Sequence, residues 1–180
     1  MSLKGKKVAV LIENFYEDME LWVPVYRLKE EGVTVTLIGP KKETYLSKHD
    51  YPAQADLKIT DARAADYDAL IIPGGYAPDH MRRNPAMVAF VRDMDKLGKV
   101  VAAICHAGWM LASANIIKGR KLTGFVSIKD DLVNAGALYE DRDVVQDKNL
   151  ITSRTPNDLP AFCRTIIEAL LNLPAKPRKR

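Results

Sequence analysis

The stretch Val100-Val101-Ala102-Ala103-Ile104 constrains the fold more than any other, because it is apolar at every position. A strand with one face in water alternates polar and apolar residues, whereas a strand without polar positions is covered on both faces, as in the centre of a parallel sheet. Helices must supply that cover, and helical patterns alternate with β-rich runs along the chain. Lys7 to Ile12 and Val33 to Ile38 are strand-like, and Leu21, Val25 and Leu28 recur between them at helical spacing until Gly32. Pro24 falls inside that helix, so it is either the first fully helical residue or a kink just after Glu20. Residues 41 to 60 read as loop and short antiparallel strands. The alternation restarts with Ala69 to Ile72, a helix from about Pro85 to Leu97, the strand Lys99 to Ile104 and a helical stretch from His106 to Ala114. A run from Leu122 to Phe125, an amphipathic segment from Ile128 to Ala135 and a hairpin-like pair, Asp143 to Gln146 with Leu150 to Thr152, follow. The last helix is expected to take Thr155 as N-cap, Pro156 as its first helical residue and Asp158 at the third position, burying Phe162, Ile166, Ile167, Leu170 and Leu171. The predicted architecture is a doubly wound α/β sandwich with a mostly parallel central sheet, whose ligand site belongs at the carboxyl ends of the strands.

The 180 residues are 47% hydrophobic and 28% charged, enough for one soluble core without disulfide or metal support. No linker, repeat or composition break divides them, so residues 1–173 read as one domain. The formal charge of +4 invites a nucleic-acid reading, but Lys176, Arg178, Lys179 and Arg180 account for it, and without them 23 basic residues face 23 acidic ones. Residues 174–180 therefore read as a basic, disordered tail, and the neutral body offers no concentrated basic face to phosphate. The first apolar run, Val8 to Ile12, is too short for a signal sequence, and a membrane span of about 20 apolar residues is absent from the sequence. The expected compartment is a reducing cytoplasm, with Cys105 and Cys163 as free thiols and no membrane partner.

The chemistry concentrates where Ile104 runs into Cys105-His106-Ala107-Gly108. A nucleophile elbow needs a strand, a nucleophile on a tight turn and then a helix, with small residues two before and two after. Ala103 and Ala107 meet that demand around Cys105, and a thiol there would meet a helix dipole and backbone N–H groups that lower its pKa. The pattern also fits a buried cysteine filling a sheet-to-helix junction, and both readings stand at this point. The histidines are at 49, 80 and 106, and none lies downstream of the cysteine, which excludes the papain order. The base is His106 or a histidine from earlier in the chain; His49 and His80 read as structural hydrogen-bonding residues. Pro73-Gly74-Gly75 follows a buried strand at the same sheet edge, where a bare glycine amide paired with the N–H of His106 would form a two-donor oxyanion hole. Glu17-Asp18-Met19-Glu20 also follows a strand. Glu17 and Glu20 share a helix face, and by pattern alone they complement the dipole of the first helix. Three scattered histidines give no metal framework, no Gly-rich nucleotide motif exists, and Cys163 reads as inert core.

Taken together, the blocks Glu17-Asp18-Met19-Glu20-Leu21, Lys48-His49, Asp68 to Gly75, Ala103-Ile104-Cys105-His106, Ile128 to Gly136 and Ser153-Arg154-Thr155-Pro156 resemble the ThiJ/PfpI superfamily, in its PfpI-like intracellular protease branch. The resemblance implies a flavodoxin-like α/β sandwich with Cys105 as nucleophile. It implies that Glu20 is a protonated carboxyl group beside the sulfur, that His106 stands near the cysteine, and that Gly75 shares the oxyanion hole. It implies further that Asp79 reaches His106 of a neighbouring subunit in a dimer or hexamer, although relatives carry a longer glutamate there. Glu17 and Trp109 are placed at the pocket. Ala107-Gly108-Trp109 departs from the family's usual Gly-Pro after the histidine, and Asp50 stands where glycine is usual.

The expectation is a cysteine-dependent enzyme without cofactor or metal, acting on a small carbonyl compound or a peptide. Peptide hydrolysis and glyoxalase III or deglycase action on methylglyoxal and early glycation adducts share the first step, attack of the Cys105 thiolate on a carbonyl carbon. The alternative is a non-catalytic redox or stress sensor, or a chaperone-like protein, that uses oxidation of Cys105.

Overall fold

In the computed structural model, residues 3–173 are described; the predicted tail at 174–180 lies outside them. The chain runs β1 (Lys7–Leu11), α1 (Asp18–Glu30), β2 (Thr34–Gly39), the short pair β3 (Thr44–Leu46) and β4 (Pro52–Gln54), and β5 (Leu57–Lys58). It continues with β6 (Ala69–Ile72), α2 (Ala77–Met81), α3 (Pro85–Lys96), β7 (Val100–Ile104), a 3₁₀ turn at Cys105–Ala107 and α4 (Gly108–Ser113). After β8 (Lys121–Leu122), α5 (Lys129–Asn134) and β9 (Leu138–Tyr139) come β10 (Val144–Asp147), β11 (Leu150–Ser153) and α6 (Leu159–Asn172).

Seven strands form one sheet in the order β10-β11-β7-β6-β1-β2-β5. All neighbours are parallel except the β10–β11 hairpin. The apolar run that set the expectation is the third strand in, and Val100 to Ile104 is buried throughout. Helices α1 and α6 pack together on one face, while α3 and α4 cover the other. The chain leaves β1 towards β2 on one side and β6 towards β7 on the other. The reversal therefore falls between β1 and β6, the crevice where open α/β sheets bind ligands.

Local chemistry explains most boundaries. Asn84 caps α3 by accepting the Ala86 N–H at 3.0 Å, with Pro85 at the first helical position where no N–H is needed. Pro24 proves to be inside α1, which begins six residues earlier at Asp18; its missing N–H removes the helical donor to the Glu20 carbonyl. The last helix corrects the expectation. Thr155 makes no side-chain cap, Pro156–Asp158 form a separate 3₁₀ turn, and α6 begins at Leu159. Arg154 draws the Asp158 carboxylate away from the helix start, with Nε to Oδ2 at 3.0 Å and Nη2 to Oδ1 at 3.1 Å. Phe162, Ile166 and Leu170 are buried as expected, and Ile167 and Leu171 are partly so.

The amino edge of the sheet is tied by a polar cluster far from the carboxyl edge. Arg120 donates to Asp95 Oδ1 at 2.9 Å and to Asn149 Oδ1 at 3.0 Å, and Asn149 donates to Asp95 and to the Lys99 carbonyl, both at 2.9 Å. Arg120→Ala is expected to lower the unfolding free energy by about 1.5–3 kcal/mol, the worth of hydrogen bonds to charged groups. Denaturant titration would show the loss, while the alkylation rate of Cys105 under folding conditions stays unchanged.

Candidate active site

Three neighbouring strands deliver the reactive groups to one edge. β1 leads into Glu17 and Glu20, β6 into Gly74 and Gly75, and β7 into Cys105. Cys105 adopts φ 60°, a left-handed conformation that costs a non-glycine residue about 1–3 kcal/mol. The strand before it and the 3₁₀ turn after it impose this geometry, and the Phe125 N–H donates to the Cys105 carbonyl at 3.2 Å. The elbow reading is thereby favoured over a relaxed buried cysteine. The sulfur accepts hydrogen bonds from the backbone N–H groups of His106 and Gly75.

The glycine pair is required by close approach. A Cβ on Gly75, at φ 73°, would sit 2.4 Å from the Phe15 carbonyl oxygen and 2.7 Å from the Glu17 nitrogen. A Cβ on Gly74 would lie 2.5 Å from Glu20 Oε2 and 2.8 Å from Cys105 Cβ. Any side chain at position 74 would thus wedge the carboxyl group off the cysteine.

Glu20 is fully buried. Its Oε2 accepts the Gly74 N–H at 2.7 Å, and its Oε1 has no hydrogen-bond partner among the described residues. An ionised carboxylate with an unpaired buried oxygen is costly. Burial, reinforced by the nearby Glu17 charge, pushes the Glu20 carboxyl up to about 8. The pattern reading of Glu17 and Glu20 is half right. Glu17 caps α1, accepting the Glu20 N–H at 2.9 Å, whereas Glu20 turns inward to the cysteine.

The expectation of a low thiol pKa is corrected. Burial and the Glu20 negative charge push Cys105 up to about 12, against the opposing pull of the two amides. Values of about 8 and about 12 leave both groups protonated at neutral pH, and because two negative charges cannot share this space, a pair that has lost one proton keeps the other. With that proton on Glu20, the sulfur carries the charge and keeps both amide donors.

His106 is half-buried. Its Nδ1 lies 3.1 Å from the Cys105 sulfur and its Nε2 lies 3.1 Å from Ser127 Oγ. Phe125 stacks on the ring at 5.0 Å between centroids, and Trp109 meets it edge-on at 5.2 Å. Burial, with the Lys48 charge as a second cause, lowers the His106 pKa and keeps the ring neutral. Ser127 and Phe125 escaped the sequence reading because they sit in a turn without periodicity between β8 and α5; a serine and an aromatic there carry no signal of their own.

The remaining predicted residues are scattered around this centre. Trp109 is fixed by its Nε1, which donates to Asp131 Oδ2 at 2.7 Å. Asp79 is ion-paired with Arg83 one helical turn later. His49 bonds Asp18 through Nδ1 at 2.7 Å, the hydrogen-bonding part expected of it, whereas His80 is held by an edge-on contact with the Phe15 ring. Asp50 adopts φ 63°, the left-handed conformation that glycine would supply. Cys163 is buried on α6.

Residues 6–169 match the model of the DJ-1/PfpI family. The chain is 42% identical to the deglycase PfpI of Pyrococcus furiosus over 164 residues, covering 91% of this chain and 99% of that protein. It is 42% identical to protein/nucleic acid deglycase 2 of Escherichia coli, covering 92% of this chain and 98% of that one. The crystal structure of Drosophila melanogaster DJ-1beta superposes with a TM-score of 0.86 at 32% identity, over 94% of this chain and 91% of that one.

The raised carboxyl of Glu20 makes stability depend on pH. The folded chain holds this proton more tightly than the unfolded one, so the contribution is complete below the ordinary value of 4.5 and is lost as pH rises through about 8. Glu20→Gln lacks the effect. Its unfolding free energy is expected to gain on that of the parent protein by on the order of a few kcal/mol across that window. Urea titrations giving a constant difference between the two proteins from acid to mildly alkaline pH would contradict the assignment.

Proposed function

The chain belongs to the DJ-1/PfpI family, and from that premise we propose that it is a PfpI-type cysteine enzyme acting on reactive dicarbonyls and early glycation adducts. The observation that carries the reading is the left-handed Cys105, its sulfur held by the Gly75 and His106 amides beside the buried carboxyl of Glu20. The thiolate attacks a carbonyl carbon and forms a C–S bond. The carbonyl π electrons move onto oxygen, and in this reading the same two amides are the donors that receive the oxyanion. In the tautomer protonated at Nε2, His106 donates to Ser127 and leaves Nδ1 free to move a proton at the sulfur or the substrate. For a dicarbonyl the adduct is a hemithioacetal: His106 takes the proton from its carbon, the resulting ene-diol is reprotonated at the neighbouring carbon to give a thioester of the 2-hydroxy acid, and water adds to that acyl carbon as the C–S bond breaks and its electron pair returns to the sulfur.

Cys105 is only 8% exposed, and the His106 ring beside it is flanked by Phe125 and Trp109. That enclosure suits a small aldehyde better than an extended peptide, and an aldehyde needs no leaving group. Peptide hydrolysis is the second reading, supported by the shared first step. Assays of the parent protein and Cys105→Ala with methylglyoxal and with a fluorogenic peptide separate the two. We expect methylglyoxal turnover that falls by at least about 10³-fold in Cys105→Ala, in line with removal of a nucleophile. No thiol-dependent turnover of either substrate, combined with oxygen addition at Cys105 under mild peroxide, would favour the sensor reading instead.

The same reading includes a homo-oligomer in which Asp79 exchanges Arg83 for His106 of a neighbouring copy. His106 already bonds Ser127 within its own chain, so Asp79 would compete for Nε2. Light scattering is expected to show a dimer or larger assembly; a strict monomer at working concentration would refute the shared site.

A further inference from the structure

Lys48 is held by its backbone next to Glu17 yet is poorly matched by its own chain. Its backbone N–H donates to the Tyr16 carbonyl at 3.0 Å, and Tyr16 in turn bridges Ser47 on one side and Gly75 on the other. Ser47 Oγ accepts the N–H groups of His49 and Tyr51, each at 3.0 Å, and donates to Asp18 at 2.7 Å, so the turn carrying Lys48 is fixed. The ammonium group meets Glu17 Oε1 at 3.9 Å, the outer limit of an ion pair, while Glu17 Oε2 is committed to capping α1. Lys48 lines a cavity of about 370 Å³ with Phe15, Tyr76, Asp79 and His80. Tyr76 directly follows Gly75, whose amide faces the sulfur, so one wall of the cavity continues from the glycine turn. Asp79, the acid in the cavity wall, is taken by Arg83. Both Glu20 and His106 feel the Lys48 charge.

We propose that Lys48 determines specificity, its ammonium group receiving a negatively charged group next to the reacting carbonyl, so that an anionic carbonyl compound is preferred over a neutral one of equal size. Phe15, Tyr76 and His80 line the cavity around the partly exposed cation, so its pull on an anion is that of a solvent-screened charge. This inference rests on the carbonyl-attack reading above and narrows its substrate class.

The test uses two alkylating reagents of nearly equal size, iodoacetate and iodoacetamide. In both the sulfur electron pair displaces iodide, and only iodoacetate carries a charge. Second-order rates at Cys105 are followed by mass spectrometry of its peptide in the parent protein, Lys48→Gln and Lys48→Arg, at one pH. The thiolate fraction affects both reagents equally, so their ratio isolates recognition of charge from any change in the Glu20–Cys105–His106 proton balance. The iodoacetate-to-iodoacetamide ratio is expected to fall about three- to tenfold in Lys48→Gln, the range of one partly exposed charge interaction, and to be kept in Lys48→Arg. An unchanged ratio in Lys48→Gln, or a loss in both variants, overturns the proposal. The broader reading fails separately, through absent turnover of methylglyoxal by the parent protein.

Discussion

A carboxyl group and a thiol pressed together in a dry crevice cannot both be ionised, and the site is arranged around that prohibition. Glu20 arrives from the helix after β1 and Cys105 from the turn after β7, while β6 lies between their strands and ends in two glycines. A side chain on Gly74 would part them. At most one negative charge therefore serves both groups, and the remaining proton moves between oxygen and sulfur over a contact that the sheet register sets. The left-handed backbone of Cys105 and the inward turn of Glu20 carry costs, and the surrounding strands, buried along nearly their whole length, hold both in place.

Much of this was legible in the sequence, for identifiable reasons. An all-apolar strand ending in Cys-His with alanines two before and two after leaves few architectures open, and the structure has the sheet, the elbow and the glycine turn where pattern and resemblance put them. What periodicity could not decide was which of Glu17 and Glu20 faces inward, since both lie on one helical face. One caps the helix and the other meets the sulfur, a difference set by strand order rather than by spacing. Ser127 and Phe125 were invisible because they reach His106 from a turn, where residue type carries no directional information. The start of α6 was misplaced because Arg154, just upstream, competes for Asp158, and a local capping rule does not weigh that competition. The thiol pKa was misjudged for a similar reason: the dipole and amides could be read from the motif, but the burial and the buried carboxyl opposing them come from elsewhere in the chain.

The two ends of the sheet divide the labour. At the amino edge Arg120, Asp95 and Asn149 bond one another, with Arg120 Nε left without a hydrogen-bond partner among the described residues and 3.9 Å from Asp147 Oδ2. At the carboxyl edge polar groups are left incompletely met: a Glu20 oxygen without a partner, a Lys48 ammonium at the limit of its ion pair, and an imidazole bridging a sulfur and a hydroxyl. Unmet hydrogen-bonding and charge capacity is what a ligand can complete, and at the carboxyl edge it lies beside a nucleophile.

The hydrogen bond from Gly74 to Glu20 spans 54 positions of chain, and the cysteine that the carboxyl group meets lies further along still. Contacts of such long range form late in folding, after the entropy of closing the intervening loops has been met by the sheet. Until β1, β6 and β7 are in register, Cys105 is an ordinary thiol with no carboxyl group at its side and no converging amides. The arranged site is therefore a product of completed folding: a nascent or heat-opened chain has the thiol but neither the paired carboxyl group nor the converging amides.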